Sequence, residues 1–198
     1  MTPAAIAATI ATRGFAVVPA FVAPPHVAAL RARLDARDAE GGLQPAAVGR
    51  GAQRVTRADI RGDRIGWLDA DGAHPAEADL WRALEALRRA CNETLQLGLF
   101  DCEAHYAAYP AGRGYERHVD RFRDDDARAL SFILYLNAGW TDDDGGALLL
   151  DTGGAAPLRV LPDGGTFVTF FADRFPHEVR PARRLRRSLA GWFRTRPR

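Results

Sequence analysis

Residues 102–120 read CEAHYAAYPAGRGYERHVD, Cys102 through Asp120, and the fold turns on this stretch. Upstream of it, apolar residues recur at helical spacing. From Cys102 onward they alternate in short runs broken by Gly, Pro, Asn and Asp, the mark of strands and tight turns. Eight β-rich segments are predicted, at 102–109, 114–120, 129–137, 146–152, 156–162, 165–172, 176–181 and 186–195. Short strands in succession, with no helix between them, imply a sandwich, barrel or jelly roll.

Working outward, the first half reads as helices that would cover one outer face of that β core, giving an α+β chain. Met1 to Thr12 has no basic residue before its apolar stretch, so it reads as a short helix after Thr2 and Pro3 and as a poor secretory signal. Gly14 to Val18 and Arg64 to Leu68 read as short strands. Pro24 to Asp38 places Val27, Leu30 and Leu34 on one helical face and ends at Gly41-Gly42. Glu77 to Leu97 carries Leu80, Trp81, Leu84, Leu87 and Cys91 at helical spacing and ends at Gly98. Gln44 to Asp63 has no periodicity and is read as a long mobile loop; its Arg50, Arg54, Arg57 and Arg61 suit a lid over a partner's carbonyls or carboxylates. The expected organisation is a helical support region at 1–98 and a β core at 99–198.

Composition sets limits on the chemistry. The chain has 198 residues, a net charge of +2 and no Lys; every basic residue is Arg. Schiff-base and lysine-nucleophile chemistry is excluded, and a carboxylate anchor has to be an Arg fork or a His. Cys91 and Cys102 have no metal or redox spacing. Free thiols and the absence of a membrane-spanning run suggest a cytoplasmic protein, with a monomer favoured and neither nucleic acid nor membrane as a partner.

Two segments carry chemistry. In His118-Val119-Asp120, strand alternation puts His118 and Asp120 on one face, and His177 lies on another strand-like segment. Two imidazoles and one carboxylate form the facial triad of non-haem iron(II) oxygenases, with positions left open on the metal. The plain alternative is two unrelated strand histidines. Nine residues after His177, Arg186 shares a strand face with Ser188, Ala190 and Trp192, and a guanidinium beside a hydroxyl suits a buried carboxylate. Arg180, Arg183, Arg184 and Arg187 read as a solvated basic face. The acidic runs 124–126 and 142–144 lack a calcium-loop pattern and read as solvated turns. His26, His74 and His105 read as non-ligands.

From Tyr109 to Phe193 the chain resembles the prolyl 4-hydroxylase class of iron(II)- and 2-oxoglutarate-dependent dioxygenases. The resemblance is strongest to the hypoxia-inducible-factor prolyl hydroxylases and their bacterial relatives. It rests on Tyr109-Pro110, Gly114-Tyr115, Arg117-His118-Val119-Asp120, Tyr135-Leu136-Asn137 with Trp140, Gly145-Gly146, Pro176-His177-Glu178-Val179, Arg186 and Trp192. A weaker match reaches Ile60-Arg61-Gly62-Asp63 and Ile65-Gly66-Trp67.

The resemblance implies a double-stranded β-helix of the jelly-roll, cupin-like kind. It implies iron ligation by His118, Asp120 and His177. Arg186 and Tyr135 would hold the far carboxylate of 2-oxoglutarate, Tyr109 would sit over the co-substrate and Trp192 would wall the pocket. Trp67 and Trp140 are expected to be core or scaffold. Two departures stand out: the Tyr109–Tyr115 interval is one residue shorter than in the animal enzymes, and Ala190 replaces their Thr on the last strand.

The implied reaction consumes dioxygen and 2-oxoglutarate, releases succinate and carbon dioxide, and hydroxylates a prolyl residue in a protein. Asp120 favours hydroxylation, because related halogenases lack this carboxylate. Some bacterial relatives act on a translation elongation factor, and L-ascorbate (vitamin C) is an expected reductant. The alternatives are hydroxylation of a small molecule or free amino acid, and a cupin-like sensor module without turnover.

Overall fold

The computed structural model describes residues 1–47, 55–57, 59–68, 74–120 and 127–196. Helices come first. α1 (Pro3–Arg13) starts where the Thr2 hydroxyl accepts from the Ala5 amide, and ends at Gly14, whose left-handed φ of 79° lets its N–H reach Ile10 O. α2 (Pro24–Ala39) buries Val27, Leu30 and Leu34. α3 (Pro75–Leu95) buries Leu80, Leu84, Leu87 and Cys91 along one stripe. Each buried Leu contributes about 2 kcal/mol of apolar transfer energy. The spacing placed the end of α3 at Gly98, but the left-handed turn comes earlier, at Gln96.

Among the described residues eleven strands lie around and between these helices: β1 (Phe15–Val18), β2 (Gln44–Pro45), β3 (Arg64–Trp67), β4 (Leu99–Tyr109), β5 (Tyr115–His118), β6 (Arg128–Tyr135), β7 (Leu148–Leu150), β8 (Leu158–Val160), β9 (Phe167–Phe171), β10 (His177–Val179) and β11 (Arg186–Thr195). They form a seven-stranded sheet, β1-β9-β6-β11-β4-β3-β2, and a four-stranded sheet, β5-β10-β7-β8. The eight segments read from alternation are β4 to β11; β4, β6, β9 and β11 lie in the large sheet and β5, β7, β8 and β10 form the small one, as in a double-stranded β-helix. All named pairings are antiparallel.

Alternation divides each long strand between two environments. Leu130, Phe132 and Leu134 of β6, Leu189 and Phe193 of β11, and Tyr106 of β4 belong to the core shared with α1, α2 and α3. The opposite residues, including Tyr135, Val168 and Phe170, face the small sheet and pack with Leu148, Leu150 and Val160. This inner face carries the site.

Three expectations are corrected here. The 44–63 segment is not free at its ends: Gln44 and Pro45 pair with Ile65 and Arg64, and Arg61 bridges to Tyr115. Positions 48–54 and 58, with Arg50 and Arg54, lie outside the described residues. The basic run near the C-terminus is only partly solvated. Arg187 bonds Asp35 of α2 at 2.6 Å, because helices cover the sheet's outer face, and Arg184 pairs with Asp144 and lies 4.2 Å over Trp140. Trp67 is not core: β3 lies near the sheet edge, and its indole is 43% exposed. Trp140 is scaffold as expected, buried and donating to Gly145 O at 2.9 Å. Asp142–Asp144 forms a short 3-10 turn capped by Thr141; residues 124–126 lie outside the described set. Among the described residues no helix is long and apolar enough to cross a membrane.

Candidate active site

β5 and β10 pair with His118 directly opposite His177, which brings together the two histidines that sequence spacing left 59 positions apart. Strand β5 stops at His118, so alternation is not what aims Asp120; a bend after the strand does. Asp120 Oδ1 lies 3.5 Å from His118 Nε2, and Oδ2 lies 3.7 Å from His177 Nε2. One donor atom from each of the three residues falls within 4.8 Å of the others.

Each imidazole is oriented through its other nitrogen. His118 Nδ1 is 2.7 Å from Glu116 O, and His177 Nδ1 is 3.0 Å from Phe175 O. Donation to a carbonyl puts the proton on Nδ1 and leaves Nε2 as a lone-pair donor. Burial holds His177 below the usual imidazole range, towards the neutral form a metal needs. Burial alone would raise the Asp120 pKa. His177, His118 and the Ser131 hydroxyl outweigh it and keep the carboxylate ionised. The donor set fits iron(II).

Ser131, which the sequence reading did not single out, donates to Asp120 Oδ2 at 2.6 Å. Bonds of this kind orient ligating carboxylates. Ser131→Ala is expected to weaken iron(II) binding about tenfold with the fold intact. Anaerobic competition against a chelator measures it, and unchanged affinity would remove Ser131 from the metal's support.

Arg186 lies at the other end of the cavity. It is 2% exposed. Its Nε donates to Gly146 O at 2.9 Å and its Nη1 to Ser188 Oγ at 3.4 Å. The guanidinium sits 5.2 Å from the Tyr109 ring centroid and 5.0 Å from that of Tyr135. Gly145 and Gly146 both take φ of +69°, and a Cβ at Gly146 would meet Arg186 Cδ at 3.3 Å. This is why two glycines precede β7. No acidic side chain among the described residues pairs with Arg186. A buried, unpaired cation costs several kcal/mol, so the place is built for an anion. Beside it, the Tyr135 hydroxyl is buried with no hydrogen bond of good geometry among the described residues, and burial, opposed by Arg186, raises its pKa to about 12. It is a protonated donor awaiting an acceptor.

The cavity joining these ends, about 60 Å³, is lined by His118, Asp120, His177, Tyr109, Arg186, Ser188 and Trp192, all named from sequence. It also includes Arg61, Asp63 and His105, to which the sequence assigns no place in the site. Arg61 is no lid residue: its guanidinium makes two bonds to Asp63, at 2.8 and 3.0 Å, and lies 4.9 Å over the Tyr115 ring. Tyr115 in turn stacks on His118 at 3.6 Å. Burial opposes the Arg61 charge, but Asp63 outweighs it and the pKa is raised. Asp63→Asn should cost roughly 3 kcal/mol of stability, as for other broken buried pairs. Urea unfolding measures it, and a loss near zero would show that the pair is dispensable.

The family described as the 2OG-Fe(II) oxygenase superfamily matches residues 104–194. A prolyl 4-hydroxylase of Pseudomonas putida is 44% identical, with 98% of this chain and 99% of that one covered, at a TM-score of 0.89. A Trichoplax adhaerens prolyl hydroxylase, solved with a peptide fragment of the hypoxia-inducible-factor oxygen degradation domain, is 27% identical over 96% of this chain and 87% of that one, with a TM-score of 0.86. A viral collagen prolyl hydroxylase from Paramecium bursaria Chlorella virus-1, solved with 2-oxoglutarate, shares the fold at 16% identity, 92% and 96% coverage and a TM-score of 0.63. With an iron-fitting triad at one end of its cavity and a buried arginine at the other, the chain belongs to the 2OG-Fe(II) oxygenase superfamily, as a prolyl 4-hydroxylase-like dioxygenase that uses iron(II), 2-oxoglutarate and dioxygen.

Proposed function

We propose that this enzyme hydroxylates a prolyl residue within a protein, with succinate and carbon dioxide as co-products. The observation that carries the site assignment is Arg186, a buried guanidinium with no acidic partner among the described residues, at the far end of a cavity that reaches the His118–Asp120–His177 triad. Arg186 binds the far carboxylate of 2-oxoglutarate through charge-assisted bonds, and the Tyr135 hydroxyl donates to the same group. Ser188 supports the guanidinium, Tyr109 packs along the co-substrate and Trp192 closes the wall. When bound, iron(II) and 2-oxoglutarate supply the reductive activation of dioxygen; the protein binds, orients and excludes water.

A polypeptide substrate is supported by shape. Beyond the small cavity lies an open groove of about 540 Å³, which shares Tyr115 and Val179 with it and runs past Arg113, Glu116, Glu178 and Arg180. A groove leading to a narrow cavity admits one side chain from an extended chain. The Trichoplax relative was solved with a peptide fragment, which supports the same reading. The test is coupled turnover. Proline-containing polypeptides should stimulate succinate release by the iron-loaded enzyme, and free proline should not. Stimulation by free proline alone would favour the small-molecule alternative, and no turnover under any condition would favour a sensor module.

A further inference from the structure

His105 is 2% exposed, yet its Nδ1 has no hydrogen-bond partner among the described residues. Four buried side-chain atoms lack a partner among the described residues: His105 Nδ1, Tyr135 Oη, Thr169 Oγ1 and Trp192 Nε1. Tyr135 is accounted for by the anion at Arg186. His105 and Trp192 both line the cavity, and their rings stack at 5.5 Å. Leaving such a group unsatisfied costs about 1–3 kcal/mol, so two of them at one place point to a ligand.

Strand register locates that place. His105 is directly opposite Ala190, and Ala190 is directly opposite Ile133. The neighbouring row contains Trp192 and Ser131, and Ser131 holds the Asp120 carboxylate. His105 is therefore one row from Ser131 and two strands across, with the small side chain of Ala190 on the strand between.

The ligand's chemistry follows from the donors. Indole Nε1–H can only donate, and a neutral imidazole has one N–H to donate. Burial, followed by the nearby Arg61 charge, lowers the His105 pKa to about 3, so the ring is neutral. Both groups suit an oxygen that only accepts. 2-Oxoglutarate held at Arg186 by one carboxylate turns its other carboxylate and its keto oxygen towards the triad, and all of these oxygens are acceptors.

We propose that His105 is a co-substrate-positioning residue, donating a hydrogen bond to the triad-facing end of 2-oxoglutarate, with Trp192 Nε1–H as a second donor to that end. The inference rests on Arg186 being the anchor for the opposite end.

The test uses zinc-loaded full-length protein, which is redox-silent and diamagnetic, and 2-oxoglutarate without any other substrate. His105→Leu should weaken 2-oxoglutarate binding by about tenfold in calorimetry, the scale of one lost hydrogen bond. His105→Asn keeps a donor near the Nδ1 position and should recover most of the loss. Zinc affinity should be unchanged in both. In the wild type, adding 2-oxoglutarate should shift the His105 ring nitrogen resonances and protect its N–H, a readout that needs no variant to fold. Leu at 105 binding as tightly as His, or ring resonances unmoved by 2-oxoglutarate, would overturn the proposal and leave only a structural water there. Arg186→Lys, measured in parallel, separates the two readings: unchanged affinity there refutes the anchor, whereas a loss there with none at 105 refutes His105.

Discussion

Replacing His177 with Ala is expected to abolish iron(II) binding and succinate formation together. His177 is opposite His118 across β5 and β10, and its Nε2 is one of three donors that converge around one point. Two remaining ligands from a single short segment cannot hold the metal against water as three can, and no other His, Cys, Asp or Glu group among the described residues forms a comparable cluster. The loss should appear as absent metal in anaerobic equilibrium dialysis. His118→Ala should behave alike. A variant that kept full iron occupancy and turnover would show that the triad assignment is wrong.

Arg186→Lys is expected to keep the fold and lose co-substrate. Lys retains the charge but gives up the planar fork that reaches Gly146 O and Ser188 Oγ and can hold a carboxylate at the same time. The affinity for 2-oxoglutarate should fall by about 1–3 kcal/mol, the scale of one charge-assisted hydrogen bond. Arg187→Lys is the matched control. Arg187 lies on the opposite face of β11 and bonds Asp35, so its effect should be on stability and not on 2-oxoglutarate. Equal loss of 2-oxoglutarate affinity at both positions would contradict the strand phase.

The phase of β11 was legible because one face of the strand carries Arg186, Ser188, Ala190 and Trp192, while the other carries Leu189 and Phe193. Strand alternation is a strict period of two, so a polar residue among inward positions declares itself. The same rule could have exposed Ser131, which shares its face with Ile133 and Tyr135, and His105, which shares its face with Ala107 and Tyr109. His105 belongs to no ligand motif; its place at the cavity comes from cross-strand register with Ala190, which one strand's pattern does not contain. The aperiodic stretch that holds Arg61 and Asp63 gives no direction to its side chains. Their burial depends on β5 crossing nearby, a long-range contact. Trp67 was misplaced for a related reason: an aromatic in a strand is core or edge according to the strand's place in the sheet, and β3 lies near the edge.

The central claim is most directly tested with isotopically labelled dioxygen. The iron-loaded enzyme is incubated with 2-oxoglutarate and a lysate of its host, and labelled oxygen is traced by mass spectrometry. One labelled atom is expected in succinate and one in a hydroxylated prolyl residue of a host protein, both lost in the His177→Ala variant. Labelled succinate with the label's second atom in a free metabolite, or in no prolyl residue, would contradict it.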